Sequence, residues 1–364
     1  MVPTSKLRIA FTKDWLTSYG GSEEQLYQLH LLYPDAPIFT TVYDERRLPQ
    51  FAGADIRTMR VPAFMRKGRR FEKLAPFMPR YFRSLDMSEF DVVVSVTSGF
   101  AKGIRTGSKT KHICICNTPL RIAWKFGGDD RGLASRILGR MLRRFDYESS
   151  KDVDLFLANS HNVAARIKQV YGRDSKVVYP PVNTQRYVSP RATKTTGFVT
   201  ISRLVAYKRI DIAVEACTAL HLPLIVAGEG PEKERLQAMA GPTITFAGFV
   251  DEAKKVQLCS EAKAFIFAAD EDFGIAPVEA MAAGCPVIAY RSGGALETVR
   301  DGVSGTFFAE QTAASLQEAL RNFSETDYKK EKIVAHAALF DVRHFIDSVQ
   351  KEISNALSPG FNRL

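Results

Sequence analysis

The sequence predicts an α/β protein built from two doubly wound parallel-sheet domains. Three observations carry that prediction. Short β-rich apolar runs alternate with amphipathic helical stretches, the alternation occurs twice over, and a proline-rich polar segment separates the two series. With 364 residues there is room for two ordinary domains, and 45% apolar with 25% charged residues excludes a disordered chain.

In the first half the runs are 7–11, 38–42, 91–96, 112–116, 154–158 and 176–179. Most are near-continuously apolar, as parallel strands covered on both faces require. In the second half they are 198–201, 222–227, 243–247, 264–268, 286–290 and 305–308, with helical patterns at 210–220, 232–239 and 276–283 between them. The boundary falls in 179–193, where Pro180, Pro181 and Pro190 suit an extended linker. The expected domains are 1–183 and 184–340, followed by a final helix, 341–364. Ile346, Val349, Ile353 and Leu357 recur there at helical spacing and must bury their stripe somewhere.

No run approaches the ~18 apolar residues of a membrane span. The start, Met-Val-Pro-Thr-Ser-Lys, leads straight into a strand pattern, so no signal peptide is expected. Five cysteines (Cys114, Cys116, Cys217, Cys259, Cys285) form no Cys-x-x-Cys pair, which argues against a disulfide framework or structural zinc and fits a reducing cytoplasm. The net charge of +10 favours an anionic partner: a nucleotide, a phospholipid surface or nucleic acid. Between residues 57 and 83, nine basic residues interleave with large apolar ones, a composition suited to an anionic membrane surface. Its plain alternative is a solvated helix pair whose apolar residues are core. Arg136, Arg140, Arg143 and Arg144 form a second basic stretch.

Three constellations could carry chemistry. Gly20-Gly21-Ser22-Glu23 follows the first strand, and Ser22 with Gln25 fits a capping box on a helix over 23–32. A helix N-terminus behind a Gly-Gly turn can hold phosphate, or it can be an ordinary strand-helix turn. Ser202–Arg209 follows the first strand of the second series, where Arg203 and Lys208 could neutralise a diphosphate or form a solvated basic loop. The third is Glu271-Asp272-Phe273-Gly274-Ile275-Ala276-Pro277-Val278-Glu279, a loop running into a short helix. Its two glutamates can grip different parts of one polyhydroxylated ligand, Glu279 from the first helical turn, where it also fits simple helix-dipole stabilisation. Asp270–Asp272 and Asp152–Asp154 match a D-x-D pattern, but nothing requires a metal at either. No histidine ligand spacing or nucleophile turn accompanies them.

Together and in this order the constellations resemble the family 4 retaining glycosyltransferases of GT-B fold. The resemblance covers nearly the whole chain. Its strongest part is the Glu271–Glu279 match to the family's E-x7-E motif. Ala158-Asn159-Ser160, Tyr179-Pro180-Pro181-Val182, Gly228-Glu229-Gly230-Pro231 and Gly293-Gly294 add weaker matches. The segment Cys116-Asn117-Thr118-Pro119-Leu120-Arg121-Ile122-Ala123-Trp124 looks most like bacterial O-antigen and exopolysaccharide mannosyltransferases.

The resemblance implies two Rossmann-like domains facing a cleft, the last helix crossing back to the first domain, and a nucleotide-sugar donor with GDP-mannose the first to test. It implies that Arg203 and Lys208, helped by Gly20 and Gly21, bind the diphosphate. Glu279 would take the ribose, Val250 the base, and Glu271 with Phe273, Gly274 and Ile275 the sugar. It assigns Asp14 and Arg121 to the acceptor, a lipid-linked or polysaccharide one, and calls for no metal or cofactor. Glu271, Asn117, Arg203 and Lys208 would be the catalytic set. Relatives usually carry His where Asn117 stands, and an amide cannot hold positive charge. The implied setting is the cytoplasmic face of a membrane, with peripheral attachment. The competing readings are a GT-B binding protein with an altered site, a GT-B nucleotide-sugar epimerase and, last, a nucleic-acid binder, for which no module is visible.

Overall fold

The computed structural model describes residues 7–60, 74–124, 133–188 and 197–361. The chain divides into two compact units, residues 1–181 with 345–364, and residues 182–344.

Among the described residues, the first unit holds a parallel sheet of seven strands: β1 (Ile9–Lys13), β2 (Ile38–Thr40), β3 (Ile56–Thr58), β4 (Val92–Thr97), β5 (Lys111–Cys116), β6 (Leu155–Ala158) and β7 (Lys176–Val177). Their spatial order is 3-2-1-4-5-6-7. Every residue of β4, Val-Val-Val-Ser-Val-Thr, is buried, as a central parallel strand requires. The helices are α1 (Gly21–Leu32), α2 (Met78–Ser84), α3 (Arg121–Trp124), α4 (Leu133–Lys151) and α5 (His161–Tyr171). Ser160 caps α5 by accepting a hydrogen bond from the amide of Val163 at 3.1 Å.

The second unit repeats the design. Its strands are β8 (Phe198–Ile201), β9 (Leu224–Ala227), β10 (Ile244–Gly248), β11 (Phe265–Phe267), β12 (Val287–Tyr290) and β13 (Gly305–Phe308), in the order 10-9-8-11-12-13. Its helices are α6 (Ile210–Ala219), α7 (Lys233–Met239), α8 (Glu252–Glu261), α9 (Ile275–Ala282), α10 (Ala295–Thr298), α11 (Ala313–Asn322) and α12 (Lys330–Ala337). In each sheet the strand order reverses beside the first strand, between β1 and β4 and between β8 and β11. Ligands of open α/β sheets bind outside the carboxyl ends of strands at such a point. The loops there contain Gly20, Arg203, Lys208 and Glu271.

The last helix, α13 (Val342–Leu357), buries Phe345, Val349, Ile353 and Ala356 in the first unit's core, together with Phe11, Leu26 and Val94. The expected stripe is rotated. Ile346 packs at the edge of that core and Leu357 is 40% exposed.

The basic segment 57–83 is described only in part. Strand β3 stands within the supposed basic segment, and Arg57 on it pairs with Asp55 at 2.8 Å and lies over the Phe39 ring at 5.2 Å. Leu74, Met78 and Phe82 are core residues, whereas Phe77 is exposed. Arg66, Lys67, Arg69 and Arg70 lie outside the described residues.

Candidate functional site

In the second unit, β8 ends at Ile201 and delivers Arg203 to the carboxyl edge of the sheet. Its exposed guanidinium donates to the Tyr207 hydroxyl at 3.0 Å. Lys208, half-buried, donates to the carboxylate of Glu271. Thus the first glutamate of the E-x7-E motif and the second basic residue of the β8 loop are partners across 63 positions of sequence.

The 270–274 loop is held from outside. The amide of Gly294 donates to the carbonyl of Glu271 at 2.7 Å. A Cβ on Gly293 would stand 2.4 Å from that carbonyl oxygen, and one on Gly294 2.3 Å from the Cα of Phe273. Only glycines allow this approach, and Gly293 has a positive φ of 55° besides. Gly274, at φ 88°, turns the chain into α9. The side chain of Phe273 is buried edge-on against Phe340, so its backbone is the part that can meet a ligand. Ile275 opens α9, half-buried.

Glu279 is the fifth residue of α9, beyond the first turn, so helix-dipole stabilisation is not its setting. Its carboxylate instead accepts from Lys255 of α8 at 3.2 Å. Lys255 also meets Glu252 at 2.8 Å and the hydroxyl of Tyr187 at 3.2 Å. Burial pulls the Lys255 ammonium down, but Glu279 and Glu252 outweigh it and hold its pKa above the ordinary value. The loop after β10 presents Phe249, 81% exposed, next to half-buried Val250.

In the first unit, Gly20 is the N-cap of α1 and no side chain caps that helix. The expected capping box is absent because α1 starts at Gly21, which puts Ser22 inside the helix, and its two members bond elsewhere. Ser22 accepts from the buried Lys13 at 2.7 Å, and Gln25 accepts from Asn117 at 2.8 Å. Lys13 also pairs with Glu23 at 3.2 Å, which places a neutralised cation under the Gly20-Gly21 turn.

Asn117, at the end of β5, is fixed from both sides. It donates to Gln25, and its side-chain oxygen accepts from Asn159 at 3.2 Å. Asp14, at the end of β1, is buried. Its carboxylate accepts from the Thr97 hydroxyl at 2.9 Å and from the amides of Ser98, Phe100 and Ala101 at 2.9, 2.7 and 2.9 Å. Through these bonds Asp14 shapes the loop after β4. Arg121 opens α3 with an exposed side chain.

A buried ion pair, Lys102 with Asp146, joins the loop after β4 to α4. Asp146 also accepts from Trp124 of α3 and Tyr171 of α5, each at 2.7 Å. Of the D-x-D carboxylates, Asp152 pairs with Arg83 at 2.6 Å and Asp154 accepts from the amide of His112 at 2.8 Å. Asp270 is exposed and Asp272 buried. Among the described residues no group of three or more His, Cys, Asp or Glu is placed to hold a metal ion, and none of their helices is long and apolar enough to cross a membrane.

Lys13, Gln25, Tyr187 and Lys255 are the site residues that the sequence reading missed as contacts. Lys13 had a signal, a charge closing an apolar strand at its carboxyl end. Tyr187 and Lys255 had none, since 68 positions separate them.

Residues 19–186 match the family described as Glycosyltransferase Family 4, and residues 182–339 match Glycosyl transferases group 1. The chain is 27% identical over 286 residues to the alpha-1,3/1,6-mannosyltransferase ALG2 of Homo sapiens, 68% of each chain. It is 36% identical over 120 residues to the phosphatidyl-myo-inositol mannosyltransferase of Mycobacterium leprae (strain TN), 32% of each. The crystal structure of Anabaena Alr3699/HepE in complex with UDP and glucose superposes with a TM-score of 0.73, over 96% of this chain and 99% of that one, at 20% identity. That last likeness speaks for the fold.

Proposed function

The chain belongs to the glycosyltransferases, with a family 4 domain followed by a group 1 domain, and from that membership we propose that it is a retaining hexosyltransferase using a nucleotide-sugar donor. The observation that carries this reading is the Lys208–Glu271 pair beside exposed Arg203, at the switch point of the second sheet. In this reading Arg203 and Lys208 bind the donor diphosphate. Glu271 and the 273–275 backbone hold the sugar, Glu279 holds the ribose hydroxyls, and Val250 with Phe249 flanks the base. The pairing of Lys208 with Glu271 suits neighbouring roles on the phosphate and on the sugar attached to it.

The bond from the anomeric carbon to the β-phosphate oxygen breaks, and the sugar becomes oxocarbenium-like. The acceptor hydroxyl adds on the same face and its proton passes to the departing phosphate. Negative charge therefore grows on that phosphate, and preorganised cations and amides there lower the barrier. Arg203 and Lys208 supply that charge without a metal. Asn117, a neutral amide held by Gln25 and Asn159, serves as a fixed hydrogen-bond group toward the sugar.

The mannosyltransferase relatives support mannose as the sugar, and GDP-mannose is the first donor to test. They also support a lipid-linked or polysaccharide acceptor, with Arg121 on its side and Asp14 shaping the adjacent loop. On α4, Arg140, Met141, Arg144 and Tyr147 form an exposed basic and apolar stripe, which supports peripheral attachment to an anionic membrane at its cytoplasmic face. The test is incubation with GDP-mannose and other nucleotide sugars, with and without EDTA and saccharide or lipid-linked acceptors. Nuclear magnetic resonance would read the product's anomeric configuration. Retained configuration with EDTA present is the expected result. An inverted product or a strict metal requirement contradicts the mechanism. Donor binding with no turnover on any acceptor favours the alternative that Asn117 motivates, a binding protein with an altered site.

A further inference from the structure

We propose that Lys255 is the positioning residue for Glu279, and that through it the site prefers a ribonucleotide over its deoxy counterpart. The proposal rests on the reading above that Glu279 takes the ribose hydroxyls. An ammonium has three N–H groups. Those of Lys255 have three acceptors, Glu279 at 3.2 Å, Glu252 at 2.8 Å and the Tyr187 hydroxyl at 3.2 Å. The network closes on itself, because Tyr187 donates to Glu252 at 2.7 Å.

Each member is fixed by its own element. Glu252 opens α8, which Asp251 caps by accepting from the amide of Lys254 at 2.8 Å. Tyr187, buried, ends the 3-10 turn Thr184–Tyr187, which packs on α9. The Lys255 and Glu279 side chains are 17% and 18% exposed. Both groups are therefore largely withdrawn from solvent, and each keeps a small exposed fraction. Both oxygens of Glu279 accept from Lys255, at 3.2 and 3.4 Å, and their remaining lone pairs can accept from two adjacent hydroxyls. Without the ammonium, two carboxylates lose the cation they share, and Glu279 is free to leave the orientation that a ribose diol needs.

The experiment is calorimetric titration of GDP and of 2′,3′-dideoxy-GDP into the full chain. Wild type is expected to favour GDP. Lys255→Met keeps the length of the side chain and removes the charge. It should weaken GDP roughly tenfold, the order for one charge-assisted hydrogen bond, and leave dideoxy-GDP unchanged, so that the preference collapses. Lys255→Arg should restore most of the preference. Tyr187→Phe, which removes one acceptor, should give an intermediate ratio and decides the matter if Lys255→Met does not fold. If Glu279→Gln abolishes the preference while Lys255→Met and Tyr187→Phe retain it in full, the role of Lys255 is overturned and the ribose reading stands. If wild type itself binds both nucleotides equally, the ribose assignment of Glu279 fails, and the proposal with it.

Discussion

Arg203 and Lys208 act on one group in this account, so their losses overlap. Alanine at either position should lower transfer about ten- to a hundredfold, the value of one charge-assisted hydrogen bond to phosphate. The double variant should be little worse than the worse single one. Fully additive losses would show that the two cations serve different groups. The glutamates should separate by ligand. Glu279→Gln should weaken free nucleoside diphosphate, whereas Glu271→Gln should chiefly lower kcat, because its proposed partner is the sugar. Equal losses of diphosphate affinity would end that division. Glu271 and Glu279 were readable in sequence because they share one loop and the helix that follows it. Their lysines were not equally readable. Lys208 stood in a suggestive loop, but Lys255 reaches Glu279 only because α8 packs on α9. For Asp14 a carboxylate at a strand end suggests a ligand contact, and its role as a buried acceptor for its own neighbouring loop was not legible in the sequence.

Among the elements, α13 shows what periodicity can and cannot give. The apolar spacing was plain, but Phe345 and Ala356 occupy the core where Ile346 and Leu357 were expected. A four-residue repeat leaves the helix phase open by one position, and only packing into the first unit's core decides it. Ile353→Ala should destabilise the first unit by about 2–5 kcal/mol, and Leu357→Ala by less than about 0.5 kcal/mol, in chemical denaturation. The short edge strand β3 was missed because its three residues alternate with charges and form no apolar run. At the head of α13, buried Asp341 accepts from the Thr184 hydroxyl and from Arg343 at 2.8 Å. Burial raises its pKa, but these bonds outweigh burial and hold the carboxyl below its ordinary value. A carboxyl lowered by folding stabilises at pH above its unfolded value, near 4, and loses that contribution as pH falls through the folded one. The stability gap between wild type and Asp341→Asn should therefore be full at pH 7 and shrink below about pH 4. A gap that widens on acidification would contradict the assignment.

For the molecule as a whole, the charge of +10 is not one surface. Arg57 and Arg83 are paired with carboxylates, and Arg143 donates to the carbonyl of Ala123 at 3.1 Å. The exposed stripe on α4 is the described surface best suited to an anionic leaflet, each basic residue adding up to ~1 kcal/mol and decaying within about a Debye length. Replacing Arg140 and Arg144 by Gln should reduce co-sedimentation with anionic vesicles at low salt and leave nucleotide affinity unchanged. Wild type that ignores such vesicles would favour a soluble acceptor. The proposed function places a nucleoside diphosphate at the carboxyl edge of the second sheet, on Arg203 and Lys208. Calorimetric titration of GDP and UDP, in EDTA, into wild type and the Arg203→Ala, Lys208→Ala double variant tests it most directly. Wild type is expected to bind one of them without metal, and the double variant to lose at least about tenfold in affinity. Equal affinity in the two proteins, or binding only when a divalent metal is restored, would contradict it.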